Sequence, residues 1–216
     1  MKSKDSPKSK LKILQAAEKL FAEKGFDAAR VDDVAENAEV NKALIYYYFK
    51  SKRDMLDQLF NNLVEELLEV VHHSLEQHAN FESVEDVAQE LSTYYDFMES
   101  KADTIRIMMM ESLKASEGPP PLFKLSELTT GEAGAEITKM FEERGLKVDV
   151  DMDEALIGDF FTGMVPMINF IVYRDAWSKH FGIEAEELKQ KFFRIFRITH
   201  LAYHNVQQEE VVRDEE

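Results

Sequence analysis

Apolar residues recur at helical spacing along nearly the whole chain, and the alternation of a half-buried strand is almost absent. Over residues 9–24, Ile13, Leu14, Ala17, Leu20 and Phe21 share one stripe, with lysines and glutamates opposite. Gly25 predicts the stop of this helix as a C-terminal cap. Val31, Val34, Ala35 and Ala38 form the buried side of a second, short helix. Asp32 and Asp33 stand in its first turn, where carboxylates favour the helix dipole. Val40 fills the turn that follows, and Asn41 is a good N-cap for a third helix. Ile45 and Phe49, four apart, close this small core.

The same spacing predicts a fourth helix from Ser51 to about Ala79, a fifth over Val84 to Ser100 and a sixth over Asp103 to Ser116. Gly118 and the three prolines after it cannot be helical and form a firm break. A seventh helical region covers about Leu122 to Arg144, an eighth Asp153 to His180, and a ninth Glu184 to about Val206, with Gly182 between the last two. The pattern predicts an all-α protein of about nine helices. In the eighth helix, Phe160, Phe161, Met164, Val165, Met167, Ile168, Phe170 and Ile171 leave little polar face. In the ninth, Leu188, Phe192, Ile195, Phe196, Thr199 and Tyr203 form a stripe, and Phe193, Ile198 and Leu201 add apolar area beside it. A helix apolar nearly all round is buried on more than one side. One side is covered by the chain's own bundle and the other by a partner, most simply an identical chain related by a two-fold axis. The candidate dimer face is Phe161, Ile168, Phe193, Arg197, His200 and His204.

Charge changes the picture by its distribution. The net charge is −16, which taken alone argues against nucleic acid. Residues 1–53 nevertheless hold 12 Lys and Arg against 8 Asp and Glu, whereas residues 54–216 hold 14 against 34. The basic end is the plausible nucleic-acid contact and the acidic remainder repels phosphate. No cysteine is present, so neither disulfides nor a thiol switch operate. The opening residues MKSKDSPKSKLK lack the apolar core of a signal peptide. The apolar stretch Met164 to Tyr173 is about half of a membrane span. The expectation is a soluble, cytoplasmic protein.

Candidate chemistry lies in Val31 to Lys52, where two short helices meet at a tight turn and the second carries three tyrosines. That is the layout of a helix-turn-helix, which presents one helix to the DNA major groove. The wider stretch AAEKLFAEKGFDAARVDDVAENAEVNKALIYYYFKSKRDML resembles the TetR family of bacterial transcriptional regulators. The Leu-Phe-x-x-x-Gly-Phe ending of the first helix, the Val-Ala-x-x-Ala core of the second and the Lys-x-x-Ile-Tyr-x-Tyr-Phe-x-x-Lys block carry the resemblance. It implies a DNA-binding domain over 1–52 and a ligand-binding and dimerisation domain over 53–216. It places Lys42, Ala43 and Leu44 where family members meet bases or phosphates, with Tyr46, Tyr47 and Tyr48 on the flank and Lys52 at a phosphate-contacting lysine. The residue types agree: tyrosine hydroxyls bind phosphate, lysines give salt-dependent attraction, and Ala43 and Leu44 meet thymine methyls. Asn41, Lys50 and Arg30 complete the candidate DNA contacts, with Tyr46 also open to a core role. Two departures stand out. Glu39 occupies a turn position commonly held by glycine, at a cost of about 1 kcal/mol if its φ is positive. Ala29 and Arg30 replace the hydroxyl that commonly caps the second helix, a cap worth about 1 kcal/mol.

By resemblance, the C-terminal part binds a small molecule that lowers DNA affinity through a shift of the fourth helix. A methionine- and phenylalanine-rich interior suits an apolar ligand. The candidate ligand residues are Phe97, Arg106, Met109, Met110, Phe123, Phe141, Asp159, Phe160, Met164 and Met167. Asp159 would favour a cationic ligand and Arg106 an anionic one, and ordinary core filling is the alternative for each apolar residue. The expected partners are double-stranded operator DNA, a small-molecule effector and a second copy of the chain, with no cofactor and no membrane. A TetR-like module without ligand is one alternative. A helical metal enzyme is another, because His72, His73 and Glu76, and His200 with His204, have ligand spacing. Two ligands do not make a metal site, and no nucleophile motif or phosphate loop accompanies them.

Overall fold

The computed structural model describes residues 7–77, 84–130, 139 and 152–201. Every regular element among them is helical. The order is α1 (Pro7–Lys24), α2 (Val31–Asn37), α3 (Lys42–Tyr48), α4 (Lys52–Gln77), α5 (Val84–Ser100), α6 (Ala102–Lys114), α7 (Phe123–Thr130), α8 (Met152–Gly158), α9 (Val165–Phe181) and α10 (Ala185–Phe196). The expected all-α fold is therefore observed. Expected helix limits mostly agree within two residues. The seventh helical region is described only to Thr130, and the ninth beyond Leu201 lies outside the described residues, as do Phe141 and His204.

The chain forms two compact units. The first comprises residues 1–67 and 101–122, so that α6 and the first part of α4 belong with α1–α3. Its core is the predicted one: Ile13, Ala17, Phe21, Val34, Ala38, Ile45 and Phe49 are all at most 2% exposed. Gly25 (φ 80°) closes α1, and its amide donates to the Phe21 carbonyl at 3.0 Å. Helix α6 packs on α1. The Thr104 hydroxyl of α6 bonds the Glu18 carboxylate of α1, and Lys114 at the end of α6 pairs with Asp27 (3.0 Å) and Glu111 (2.8 Å).

The second unit comprises residues 68–100 and 123–216. Its aromatic residues interlock. Phe170 and Phe192 stack at 4.0 Å, and Phe193 meets Tyr95 edge-on at 5.1 Å. Tyr95 is fully buried, accepts from Arg174 (2.7 Å) and donates to Glu99 (3.2 Å), while Arg174 also pairs with Glu99. Burial pushes the Tyr95 phenol up, opposed by the nearby guanidinium. These bonds tie α9 to α5.

The predicted eighth helix differs in one respect. Residues Asp159–Met164 form a wide π turn between α8 and α9. Pro166 lies in the first turn of α9, and proline lacks the amide that an unbroken α-helix would require there. The Thr162 hydroxyl donates to the Gly158 carbonyl (2.7 Å) within this turn. Thr162 Oγ1 also lies within hydrogen-bond distance of His200 Nδ1, at 2.9 Å. The His200 ring lies over Gly163, where a Cβ would approach it to 2.6 Å. Gly163 is thus required by close approach. The helix from Asp153 to Phe181 runs 29 residues and is long and apolar enough, by length and composition, to cross a membrane. The shorter stretch noted in the sequence understates it. It carries Asp159, Arg174 and Asp175, and Arg174 serves the bundle as described.

Candidate nucleic-acid interface

Helix α3 is short, and its two ends explain how it is held. At its start the Asn41 carbonyl side chain accepts the Leu44 amide at 2.8 Å, the predicted N-cap. Before it, Glu39 adopts φ 52°, so the left-handed turn position is realised with a non-glycine residue. The Glu39 amide reaches the Glu36 carbonyl and the Val40 amide the Ala35 carbonyl, both at 3.0 Å. At the far end, Phe49 turns extended and is buried with Ile45. Ser51 and Asp54 then start α4 as a reciprocal cap. The Asp54 amide donates to Ser51 Oγ (3.1 Å) and the Lys50 amide to the Asp54 carboxylate (2.7 Å).

With Ile45 and Phe49 facing the core, the opposite side of the turn presents Lys42, Ala43, Tyr46, Tyr47 and Lys50, all exposed. Tyr46 and Tyr47 are 51% and 65% exposed, which separates Tyr46 from the core role weighed for it. Tyr48 is half-buried and meets Tyr47 edge-on at 5.0 Å, so the pair is preset. Leu44 is half-buried. Arg30 stands at the N-cap of α2 with extended backbone and makes no side-chain cap bond, as its residue type predicts. Its side chain is exposed.

Lys52 has a different task from the one expected. Its ammonium donates to three backbone carbonyls, Phe26 (2.6 Å), Ala29 (2.9 Å) and Asp27 (3.1 Å). It also lies 4.4 Å from the Phe26 ring centre. An ammonium has three protons, and all three are used. Lys52 therefore pins the α1–α2 connection onto α4. Sequence reasoning missed this because the acceptors are main-chain atoms far along the chain.

Three further lysines of the head are paired with carboxylates. Lys42 lies 2.8 Å from Asp32, Lys12 2.8 Å from Glu39, and Lys24 3.0 Å from Asp33. The Lys12 hydrogen bond holds the Glu39 carboxyl below its ordinary value, and the Lys24 hydrogen bond does the same for Asp33. The Asp32 hydrogen bond raises Lys42 in turn.

The candidate ligand residues fall in both units. Arg106, Met109 and Met110 belong to the first, where Arg106 pairs with Asp103 on its own helix (3.2 Å) and Met110 is 40% exposed. Phe97, Phe123, Asp159, Phe160, Met164 and Met167 belong to the second. Of these, Phe123 and Phe160 line a groove of about 320 Å³ with Ser126, Glu127, Leu156, Ile157 and Phe161. Phe97, Asp159 and Met164 are half-buried, and Met167 is buried in the core. Leu156 and Ile157 went unnoticed, although they precede Phe160 and Phe161 by one helical turn.

The candidate dimer face needs correction. Ile168 is 1% exposed within the single chain, Phe193 packs on Tyr95, and His200 packs on Gly163 and Thr162. Ile168 faces inward, whereas Phe193 and His200 are half-buried. Phe161 and Arg197 are exposed. The exposed apolar residues on these helices are instead Ile157, Phe161, Tyr173, Trp177, Phe181, Ile195 and Ile198, each at least half exposed.

Comparison with known proteins agrees with this geometry. Residues 13–59 match the family described as bacterial regulatory proteins, tetR family. The HTH-type transcriptional regulator YhgD of Bacillus subtilis is 34% identical over 95 residues, 44% of this chain and 49% of that protein. The biofilm operon icaADBC negative transcriptional regulator IcaR of Staphylococcus aureus is 25% identical over 181 residues, 84% of this chain and 91% of that protein. Among solved structures, FadR of Bacillus subtilis in complex with stearoyl-CoA aligns with a TM-score of 0.56 at 18% identity, covering 87% of this chain and 96% of that one. That last likeness concerns the fold. The matched residues include the buried core of α1–α3 and the exposed face of α3, and the relatives are transcriptional regulators rather than enzymes. Residues 13–59 thus carry the sequence of the DNA-binding head of the tetR family of bacterial regulatory proteins, and the chain as a whole is similar to regulators of that kind.

Proposed function

We propose that this chain is a homodimeric repressor that binds a palindromic operator and is released by a small, largely apolar ligand. The observation that carries the reading is the exposed α3 face of Lys42, Ala43, Tyr46, Tyr47 and Lys50. It offers phosphate donors and apolar contacts on one short, well-capped helix. The functional division falls at Lys52, with residues 1–52 as DNA-binding domain and 53–216 as ligand-binding and dimerisation domain. Its working place is the cytoplasm.

Two copies joined through the exposed apolar side chains of α9 and α10 bury surface that a lone chain leaves in water. The groove around Phe123 and Phe160 supplies an apolar site, and a protein of the same fold, FadR of Bacillus subtilis, forms a complex with stearoyl-CoA. Repression is the sign of control in IcaR, and it is the sign we assign here. Ligand-driven motion reaches the head through α4, whose N-terminus carries Lys52. A small rotation of two heads spoils simultaneous contact with two half-sites.

The test is fluorescence anisotropy on labelled DNA from upstream of the chain's own gene against a scrambled duplex, with and without long-chain acyl compounds. The expected result is preference for the native duplex, one dimer per site, and release by an apolar ligand. Equal, weak binding to both duplexes would contradict the reading.

A further inference from the structure

This inference rests on the reading that α3 meets DNA, and it concerns how the head rejects the wrong sequence. Among the described residues of the head, Lys12 pairs with Glu39, Lys24 with Asp33 and Lys42 with Asp32, and of these three pairs Lys42–Asp32 is the one that includes a residue of the exposed α3 face. The carboxylate of Asp32 is 69% exposed and Lys42 is 47% exposed, so the pair sits in water on the DNA-facing side of α2 and α3.

A stability role explains little of it. An exposed ion pair adds little to folding, because solvent screens it and two side chains lose freedom. The first turn of α2 also has Asp33 to meet the helix dipole. Against a polyanion the same pair has a large consequence. A free lysine on a flexible stem is an undiscriminating phosphate binder, and each one engaged adds to sequence-independent affinity. Paired with Asp32, Lys42 has its charge offset and its direction set by a carboxylate on the neighbouring helix. Any phosphate that approaches Lys42 also approaches Asp32. Only a contact that phosphate cannot supply repays this, and for lysine that contact is the O6 and N7 edge of guanine.

We propose that Asp32 is a specificity-determining residue, which holds Lys42 and lowers affinity for DNA of the wrong sequence more than for the operator. Specificity is a difference of affinities, and a repulsive element against the competitor raises it as surely as a new attraction.

The experiment compares the full-length wild type, Asp32→Asn, Lys42→Gln and the double variant on native upstream and scrambled duplexes, over roughly 50 to 200 mM salt. Thermal midpoints of all four confirm folding, and Asp32→Ser serves as a second variant. Asp32→Asn is expected to tighten scrambled-duplex binding about five-fold, as one like charge removed near phosphate allows. The native duplex is expected to gain less than about two-fold. The salt slope on scrambled DNA is expected to steepen by about 0.9, the value for one further phosphate contact. In the Lys42→Gln background these gains are expected to vanish. Unchanged scrambled affinity and slope in Asp32→Asn would overturn the proposal. So would an equal gain in the Lys42→Gln background, because Asp32 would then act as bulk charge and not through Lys42. A wild type without preference for the native duplex would sink the DNA reading, and this proposal with it.

Discussion

In the unit that carries α3, Ile13, Ala17, Phe21, Val34, Ile45 and Phe49 are each no more than 2% exposed. In the unit that carries α9 and α10, Phe161, Tyr173, Trp177, Phe181, Ile195 and Ile198 are each at least half exposed. The first unit closes the core of α1–α3 and shows Tyr46 and Tyr47 on one side of α3, while Leu11 and Leu113 stay exposed elsewhere on it. The second leaves apolar side chains for something else to cover. Large apolar patches on a chain mark interaction surfaces. The contrast teaches that the core of α1–α3 is closed within one copy, whereas α9 and α10 leave apolar surface that the proposed second copy would cover.

The sharpest way to break this comparison is to substitute one residue on each side. Ile45→Ala removes a fully buried side chain and is expected to cost about 3 kcal/mol. Urea unfolding followed by circular dichroism should show the loss, and DNA binding should fall with it. Phe161→Ser should leave the protomer's helix content intact while weakening self-association in sedimentation. If Phe161→Ser unfolds the chain and Ile45→Ala does not, the contrast is the wrong way round.

Next in size is Lys52→Met. Three carbonyls lose a charged donor, and a loss of about 2 kcal/mol is expected in the head. A free phosphate-binding lysine would show no such destabilisation, so the thermal midpoint decides between the two tasks. Smaller again is Glu39→Gly, which relieves a positive φ and is expected to stabilise the head by about 1 kcal/mol. Loss of stability there would mean that the Lys12–Glu39 pair outweighs the backbone strain. The smallest effect concerns acid. Asp27, Asp33 and Glu39 titrate below their ordinary values, chiefly through hydrogen bonds from Lys114, Lys24 and Lys12. Their contribution is complete above the ordinary carboxylate range, near pH 4, and disappears as pH falls through the lowered values. A thermal midpoint in the head that is flat from pH 7 to about 5 and falls below about 4 is expected. A midpoint rising on acidification would contradict these pairs.

Much of the head was legible because its determinants are local. Gly25, Asn41, Ile45 and Phe49 act within one turn of their own positions, and Glu39 marks its own strained φ. Lys52 was not legible, because its three acceptors are carbonyls 23 to 26 residues away. In the body, Pro166 carried a signal for the π turn that apolar periodicity hid. For α10, apolar residues occupy too many sides for spacing to choose the inner one. Packing on Tyr95, Phe170 and Gly163 half-buries Phe192, Phe193 and His200 and leaves Ile195 outside. Tertiary neighbours make that choice, and a single sequence does not display them.

The account's central claim is that the exposed α3 face reads DNA. It is tested most directly by anisotropy of the Lys42→Ala/Tyr47→Ala variant on the native upstream duplex, beside the wild type at one salt concentration. Both side chains are exposed, so the fold should persist with an unchanged thermal midpoint. The account predicts a loss of affinity of about 100-fold, from one phosphate and one base-region contact. Full affinity in a folded variant would contradict it and place the DNA contact elsewhere on the chain.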